Sequence, residues 1–429
     1  LVLAAAPAPC AAAPEVSAAA LRLADGVLEV AVSGVTRIDD AALVTVHRDS
    51  DSALLFAADT AQSAAVDSGL ELVTFTLTEA QRVTAVETVQ TTTLSIDAGA
   101  GAFFDEDLSE ASLAVQGLGI TTQADAVSPQ ILSAAIDLQS GELTLTFDEY
   151  VDLTSVAPGY GEIAATTSVP TQALDATLSN GNSLGATAVL QLSETQRSAL
   201  SFAEAQGEGI TSNFAAAFIA DHAGNSMVEV SGYSVSATAD STGPQFASAS
   251  LDLEAGELQI QASEHLLEDF ADLSLLQLNF GGDSLNIGSA SATWSIATDS
   301  LTIVLSEDQR DSIITWSSNG GSAITLTTSE GAMKDAAGNL LQAASDQIIS
   351  SVTPDSAQPT LTAHEIRLGP SEIHLTFSEY VPTFDGTKFT LHGVVLTSAT
   401  AVSGFDKSLV ISLNTLPLQD TLVEAYLSN

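Results

Sequence analysis

The chain reads as all-β: a row of antiparallel β-sandwich domains, each with one short helix. Three observations predict this. A spacing of 115 residues recurs, most plainly at Glu149, Glu264 and Glu379 (264−149 = 115, 379−264 = 115). Apolar residues within each copy alternate with period two, as in Leu143, Leu145 and Phe147, which marks half-buried strands. A strand in three copies runs into Ser/Thr-x-x-Gln, a helix-capping signature. Self-similarity at a fixed period means an array of like units.

Each unit opens on an alternating strand, with Leu132, Ala134, Ile136 and Leu138 expected on the inward face. A turn of small residues follows, at Gly26, Gly141 and Gly256, with Gly369-Pro370 in the fourth copy. Glycine supplies the positive φ that a tight hairpin needs. The second strand is Gly141–Val151, with copies from Gly256, Ser371 and, faintly, Gly26.

Some 50 residues on come Thr78-Glu79-Ala80-Gln81-Arg82, Ser193-Glu194-Thr195-Gln196-Arg197 and Ser306-Glu307-Asp308-Gln309-Arg310. The hydroxyl accepts from first-turn amides, the Gln returns the bond, and the Glu suits the positive helix end. In the fourth copy Asn414–Pro417 stands in for the cap. Asp221-His222-Ala223-Gly224-Asn225 and Asp335-Ala336-Ala337-Gly338-Asn339 are tight-turn sequences, with only Asp105-Glu106-Asp107 at that place in the first copy. Asp125…Pro129, Asp240…Pro244 and Asp355…Pro359 form short, stiff joints.

These joints divide the chain into an Ala/Pro-rich leader or linker (1–14), a divergent first unit (15–124), two full units (125–239 and 240–354) and an incomplete fourth (355–429). Units of this size can each bury a core, unlike the short repeats of a solenoid. The fourth is expected to be completed by further chain or by a strand from a neighbouring molecule.

With 54 acidic and 10 basic residues, the net charge is −44. That excludes nucleic acid and anionic membrane surfaces as partners, since both need cationic patches. Hydrophobic residues at 45%, with clear alternation, argue against disorder. The single cysteine, Cys10, permits no intrachain disulfide, and no apolar run reaches membrane-spanning length.

Candidate chemistry is sparse. Glu149, Glu264 and Glu379 end the second strands and can approach the joint residues Asp125, Asp240 and Asp355 or the turn residues Asp221 and Asp335. Oxygen clusters at domain joints suit Ca2+. The competing reading is that these Glu residues cap a bend or pair with Arg82, Arg197 and Arg310. Gly34 holds the matching position in the first unit, so no such site is expected there. Gly181-Asn182-Ser183-Leu184-Gly185 matches a nucleophile elbow by chance, because it lies in a polar loop with no copy elsewhere. The six His residues form no zinc or triad pattern, and Asp49-Ser50-Asp51 lacks the rest of a calcium loop. Trp294 and Trp316 are read as core or sheet-surface residues.

The run Ile136–Val151 with its copies, the Asp-x-x-Gly-Asn turns and the Asp-x-x-x-Pro joints resemble the bacterial-type immunoglobulin-like, cadherin-like repeats of large surface, adhesin and S-layer proteins. The resemblance covers residues 125–429 well and 15–124 weakly. It implies an extracellular, cell-surface, non-enzymatic structural protein: a rod, surface layer or filament subunit that associates with itself or with neighbouring subunits. The rivals are the stalk of an adhesin whose binding tip lies elsewhere and the accessory region of a secreted enzyme. Apart from Ca2+ at the joints, no cofactor is expected.

Overall fold

A computed structural model describes residues 13–105, 111–181, 183–294, 299–318, 323–367, 372–381, 385, 388, 390–391, 394–395, 399–401 and 407–413. The chain falls into two compact units, Leu1–Asp240 and Ser241–Asn429. Strands dominate both. The α-helices among the described residues are α1 (Glu79–Val89), α2 (Glu194–Ala205) and α3 (Glu307–Ser318).

The first unit holds two sandwiches. In the first, Glu15–Arg22, Val27–Ser33, Leu72–Thr76 and Ser63–Asp67 lie side by side on one face, and Ala53–Ala57, Val44–Arg48 and Leu94–Ala98 on the other. The strand Val115–Gln123 belongs to both. Its first part pairs antiparallel with Leu94–Ala98, and Ile120–Gln123 pairs parallel with Glu15–Arg22. Leu28, Val30, Phe75, Val46, Leu94 and Ile96 from the two faces share one buried core. This is the layered solution that lets half-apolar ribbons hide their inner sides.

The second sandwich repeats the plan around a core that includes Ile136, Leu143, Leu145, Leu190 and Phe214. Its last strand, Val230–Thr238, likewise pairs antiparallel with Ile210–Phe214 and parallel with Ile131–Asp137. A kink allows the crossing. Gly117 and Gly232 sit at φ 62° and 66°, their N–H groups donating to Asp97 Oδ1 at 2.6 Å and Asn213 Oδ1 at 2.7 Å. The kinks are 115 residues apart (232−117 = 115).

The second unit contains a third sandwich, with Leu251, Leu258, Ile260, Leu276, Leu278 and Ile303 in its core. Here the last strand is broken into Ala344–Ile348, which contains Asp346 at φ 52°, and Ser351–Thr353. Beyond it, Leu361–Arg367, Glu372–Phe377, Ser408–Leu413 and Ala399–Ala401 form a four-stranded sheet over Ile373, Leu375, Leu409 and Ile411. Residue 10, most of the leader, the turn at 368–371 and the 414–417 cap lie outside the described residues.

The alternation expected in the opening strand holds only in part. Leu132 is 62% exposed, and Ile131 takes the inward place. A β-bulge between Ile131 and Ser133 shifts the register by one residue, and such a slip exchanges faces. The bulge recurs after Val16, Phe246 and Leu361, again at 115-residue intervals (131−16, 246−131, 361−246). The hairpin glycines Gly26, Gly141 and Gly256 sit at φ 63°, 75° and 71°, as their place between the strands predicts.

Candidate functional site

The capping boxes place one arginine in the first turn of each helix. At α1 the box is complete. Thr78 Oγ1 accepts from Gln81 N–H, and Gln81 Oε1 accepts from Thr78 N–H at 2.9 Å. Ser306 and Gln309 do the same at α3. At α2, Ser193 still accepts from Gln196 N–H, but Gln196 Oε1 turns to Asp175 N–H at 2.8 Å. The amide of each Gln also ties the helix to the edge of the sandwich, at Thr60, Ala173 O and Asn286 O.

Arg82, one position further, is 4% exposed. All five of its N–H groups have acceptors. Nε donates to Glu79 Oε2 at 2.9 Å, and Nη2 to Glu79 Oε1 at 2.6 Å and Glu149 Oε2 at 2.7 Å. Nη1 donates to Leu23 O at 3.0 Å and Asp125 Oδ2 at 2.5 Å. Leu23 and Glu79 belong to the first sandwich, Asp125 to the connection, and Glu149 to the second sandwich. Glu79 crosses as well, accepting from Tyr150 N–H at 2.9 Å. One planar guanidinium therefore joins two sandwiches, a role for which a lysine has the wrong geometry.

The bonds to the helix Glu, to a strand carbonyl and to the joint Asp recur with the repeat. Arg197 donates to Glu194, to Leu138 O at 2.8 Å and to Asp240 Oδ2 at 2.8 Å. Arg310 donates to Glu307 at 3.0 Å, Leu253 O at 2.5 Å, Asp355 Oδ2 at 2.5 Å and Glu379 Oε2 at 3.3 Å. The accepting carbonyls are spaced 138−23 = 115 and 253−138 = 115.

Around Arg82 the charge does not balance. Asp125, Glu149 and Asp221 bring carboxylate oxygens within 4.8 Å of one another, and Glu79 adds a fourth carboxylate. Burial opposes the charge on Arg82, but Glu79, Glu149 and Asp125 outweigh it and hold the guanidinium above its usual pKa. For Glu149, burial is the larger effect. With repulsion from Asp125, Asp221 and Asp148 it overcomes the pull of Arg82 and pushes the carboxyl up to about 7.

The sequence-predicted residues thus fall into different surroundings. Glu149 and Glu379 meet Arg82 and Arg310; Asp240 and Asp355 meet Arg197 and Arg310. The second carboxylate oxygen of Glu379 is buried with no hydrogen-bond partner among the described residues. Asp221 and Asp335 bind their own turns, accepting from Asn225 N–H at 2.7 Å and Asn339 N–H at 2.8 Å. Gly224 and Gly338, both at φ 94°, allow these turns. Asn225 Nδ2 also reaches Asp125 O at 3.4 Å, so the turn buttresses the joint. Glu264 is half-buried just after the strand Glu257–Ala262.

Sequence reasoning assigned Glu79, Glu194 and Glu307 only a helix-dipole role; they also clamp the arginines. A signal was available. Of 10 basic residues in the chain, three follow the Gln of a capping box. Of the other positions singled out, Ser183 precedes the strand Leu184–Leu192 rather than a helix, and Trp316 stacks on Phe280 with ring centroids 6.0 Å apart.

No family model matches the chain, and no curated protein matches it. Solved structures do. The N-terminal part of the bacterial S-layer protein SbsC aligns at 14% identity and TM-score 0.20, over 53% of this chain and 44% of that one. The titin I9–I11 tandem aligns at 10% and TM-score 0.15, over 80% and 98%. SbsC domains 1–6 align at 9% and TM-score 0.19, over 95% and 65%. The chain thus spans less than half of the SbsC fragment. The fold class rests on the chain's own strand order: all-β, immunoglobulin-like sandwiches. Among the described residues, no helix is long and apolar enough to cross a membrane.

Proposed function

We propose that this is an extracellular structural protein, non-enzymatic, built as an array of sandwich beads with boundaries near residues 15, 125, 240 and 355. It serves as a rod, surface-layer or filament subunit. The observation that carries this reading is the buried arginine at the joint. Arg82 uses all five donors, one reaching the connection at Asp125 and one the neighbouring bead at Glu149, and Arg310 reaches Asp355 and Glu379 in the same way. A joint so bonded resists bending, which is what an array under tension needs and a free linker does not supply. The net charge of −44 keeps neighbouring arrays from clumping until salt or a specific contact screens it.

Electron microscopy of the full chain, beside Arg82→Ala, tests the reading. Extended particles that associate end to end or side by side, with a wider bend in the variant, support it. Compact monomers at every salt concentration refute it.

The convergence of Asp125, Glu149 and Asp221 favours calcium at the first joint as a second reading, in which the ion shares these carboxylates with Arg82. Added CaCl2 would then raise the melting temperature, and Asp221→Asn would abolish the rise. A melting temperature indifferent to calcium and to chelator leaves the arginine alone in charge.

A further inference from the structure

The second sandwich carries a cleft that the repeat does not explain. About 290 Å³ in volume, it opens where the kink at Gly232 parts the last strand from Ile210–Phe214. Its floor is Phe214, fully buried and tilted against Phe218 with ring centroids 4.8 Å apart. Its lining includes Tyr160, 56% exposed, with Glu162, Asn213 and Glu229. Asn213 is held by Gly232 N–H, and its Nδ2 donates to Glu162 Oε2 at 2.9 Å, which orients that carboxylate. The side chains of Glu229 and Tyr160 make no hydrogen bond or ion pair with any described residue, and no Lys, Arg or His lines the cleft.

The fold does not require these residues. In the third sandwich the strand pair Gly161↔Phe214 becomes Leu276↔Thr328, offsets of 115 and 114. The matching positions then hold Leu275, Gln277 and Ala343 in place of Tyr160, Glu162 and Glu229. The scaffold recurs; the exposed ring and both carboxylates do not.

We propose that this cleft binds an organic ammonium group. An exposed aromatic face attracts a cation, most of all a weakly hydrated one, and two carboxylates beside it add Coulomb attraction with no internal cation to compete. The cleft lies near the lower end of ligand-pocket volumes, which admits an alkylammonium chain and little more. Neutral sugars would use the ring but offer no counter-charge to the two exposed carboxylates. Two sources carry the same chemistry: a free amine and a lysine side chain of another polypeptide.

Calorimetric titration of the full chain at low salt tests the proposal. The probes are cadaverine, Nα-acetyl-lysine methylamide, methyl glucoside and CaCl2. Both ammonium probes should bind, with affinity reduced about fivefold by Tyr160→Ala and by Glu229→Gln. Both sites are exposed, and unchanged circular dichroism will establish that the variants fold. Tighter binding of the lysine derivative than of cadaverine assigns the cleft to a polypeptide partner; the reverse order assigns it to free amines. The proposal is overturned if neither ammonium probe binds, if Tyr160→Ala leaves their affinity unchanged, or if only the glucoside or calcium binds.

Discussion

Arg82 shows how much one side chain can decide. Its guanidinium is buried, yet every donor has a partner, so desolvation is offset by hydrogen bonds as well as charge. Removing it leaves Glu79, Asp125 and Glu149 facing one another in a poorly solvated space. Arg82→Ala is expected to destabilise the first unit by about 3–5 kcal/mol, read by denaturant unfolding. Arg82→Lys should recover only part of this, because an ammonium has three donors on one atom. Glu149 makes the joint respond to pH. Its pKa rises from 4.5 in the unfolded chain to about 7 in the folded protein. Between these values the folded state holds a proton that the unfolded chain has released. The contribution of Glu149 is therefore greatest below pH 4.5 and is lost as pH rises towards about 7. Thermal melts at pH 5 and pH 8 should differ less in Glu149→Gln than in the natural sequence. An equal difference in both would show that other groups set the dependence.

At the scale of elements, the hairpin between the first two strands of each bead depends on a left-handed glycine. Gly141 has φ 75°, and a Cβ there would stand 2.9 Å from Gln191 Nε2 and 3.1 Å from Arg197 Cδ. The change Gly141→Ala meets both backbone strain and the arginine of its own bead. It should cost more than the roughly 1 kcal/mol of the left-handed conformation alone. A melting temperature unchanged by this substitution would contradict the account. The opening strands show where pattern reading stops. Period two was legible, but the bulge after Ile131 was not, because one extra residue leaves the composition of a strand unchanged while reversing its faces. Leu132 is exposed for that reason. The caps were legible down to the hydroxyl; the diversion of Gln196 to Asp175 depends on a neighbouring strand remote in sequence.

For the whole molecule, the separate cores matter most. Leu145 lies in the second core and its counterpart Ile260 in the third (260−145 = 115), with no residue shared between the two clusters. Leu145→Ala should remove about 2–5 kcal/mol from the second sandwich. Calorimetry should then show one transition moved down and another, belonging to the third sandwich, unmoved. A single transition shifting as a whole would mean that the beads unfold together.

Repetition is written in the order of residues, and so the period, the strand-turn-strand grammar, the helix starts and the acidic surface were determined by the sequence alone. These are local or statistical properties: alternation, capping and turn chemistry act within a few residues, and charge only has to be summed. Which carboxylate meets which guanidinium was decided by the tertiary structure. Asp125 and Glu149 lie 43 and 67 residues from Arg82, and only folding brings their oxygens to its donors. The cleft at Tyr160 was settled in the same way, since its walls come from strands that are neighbours in space and far apart along the chain.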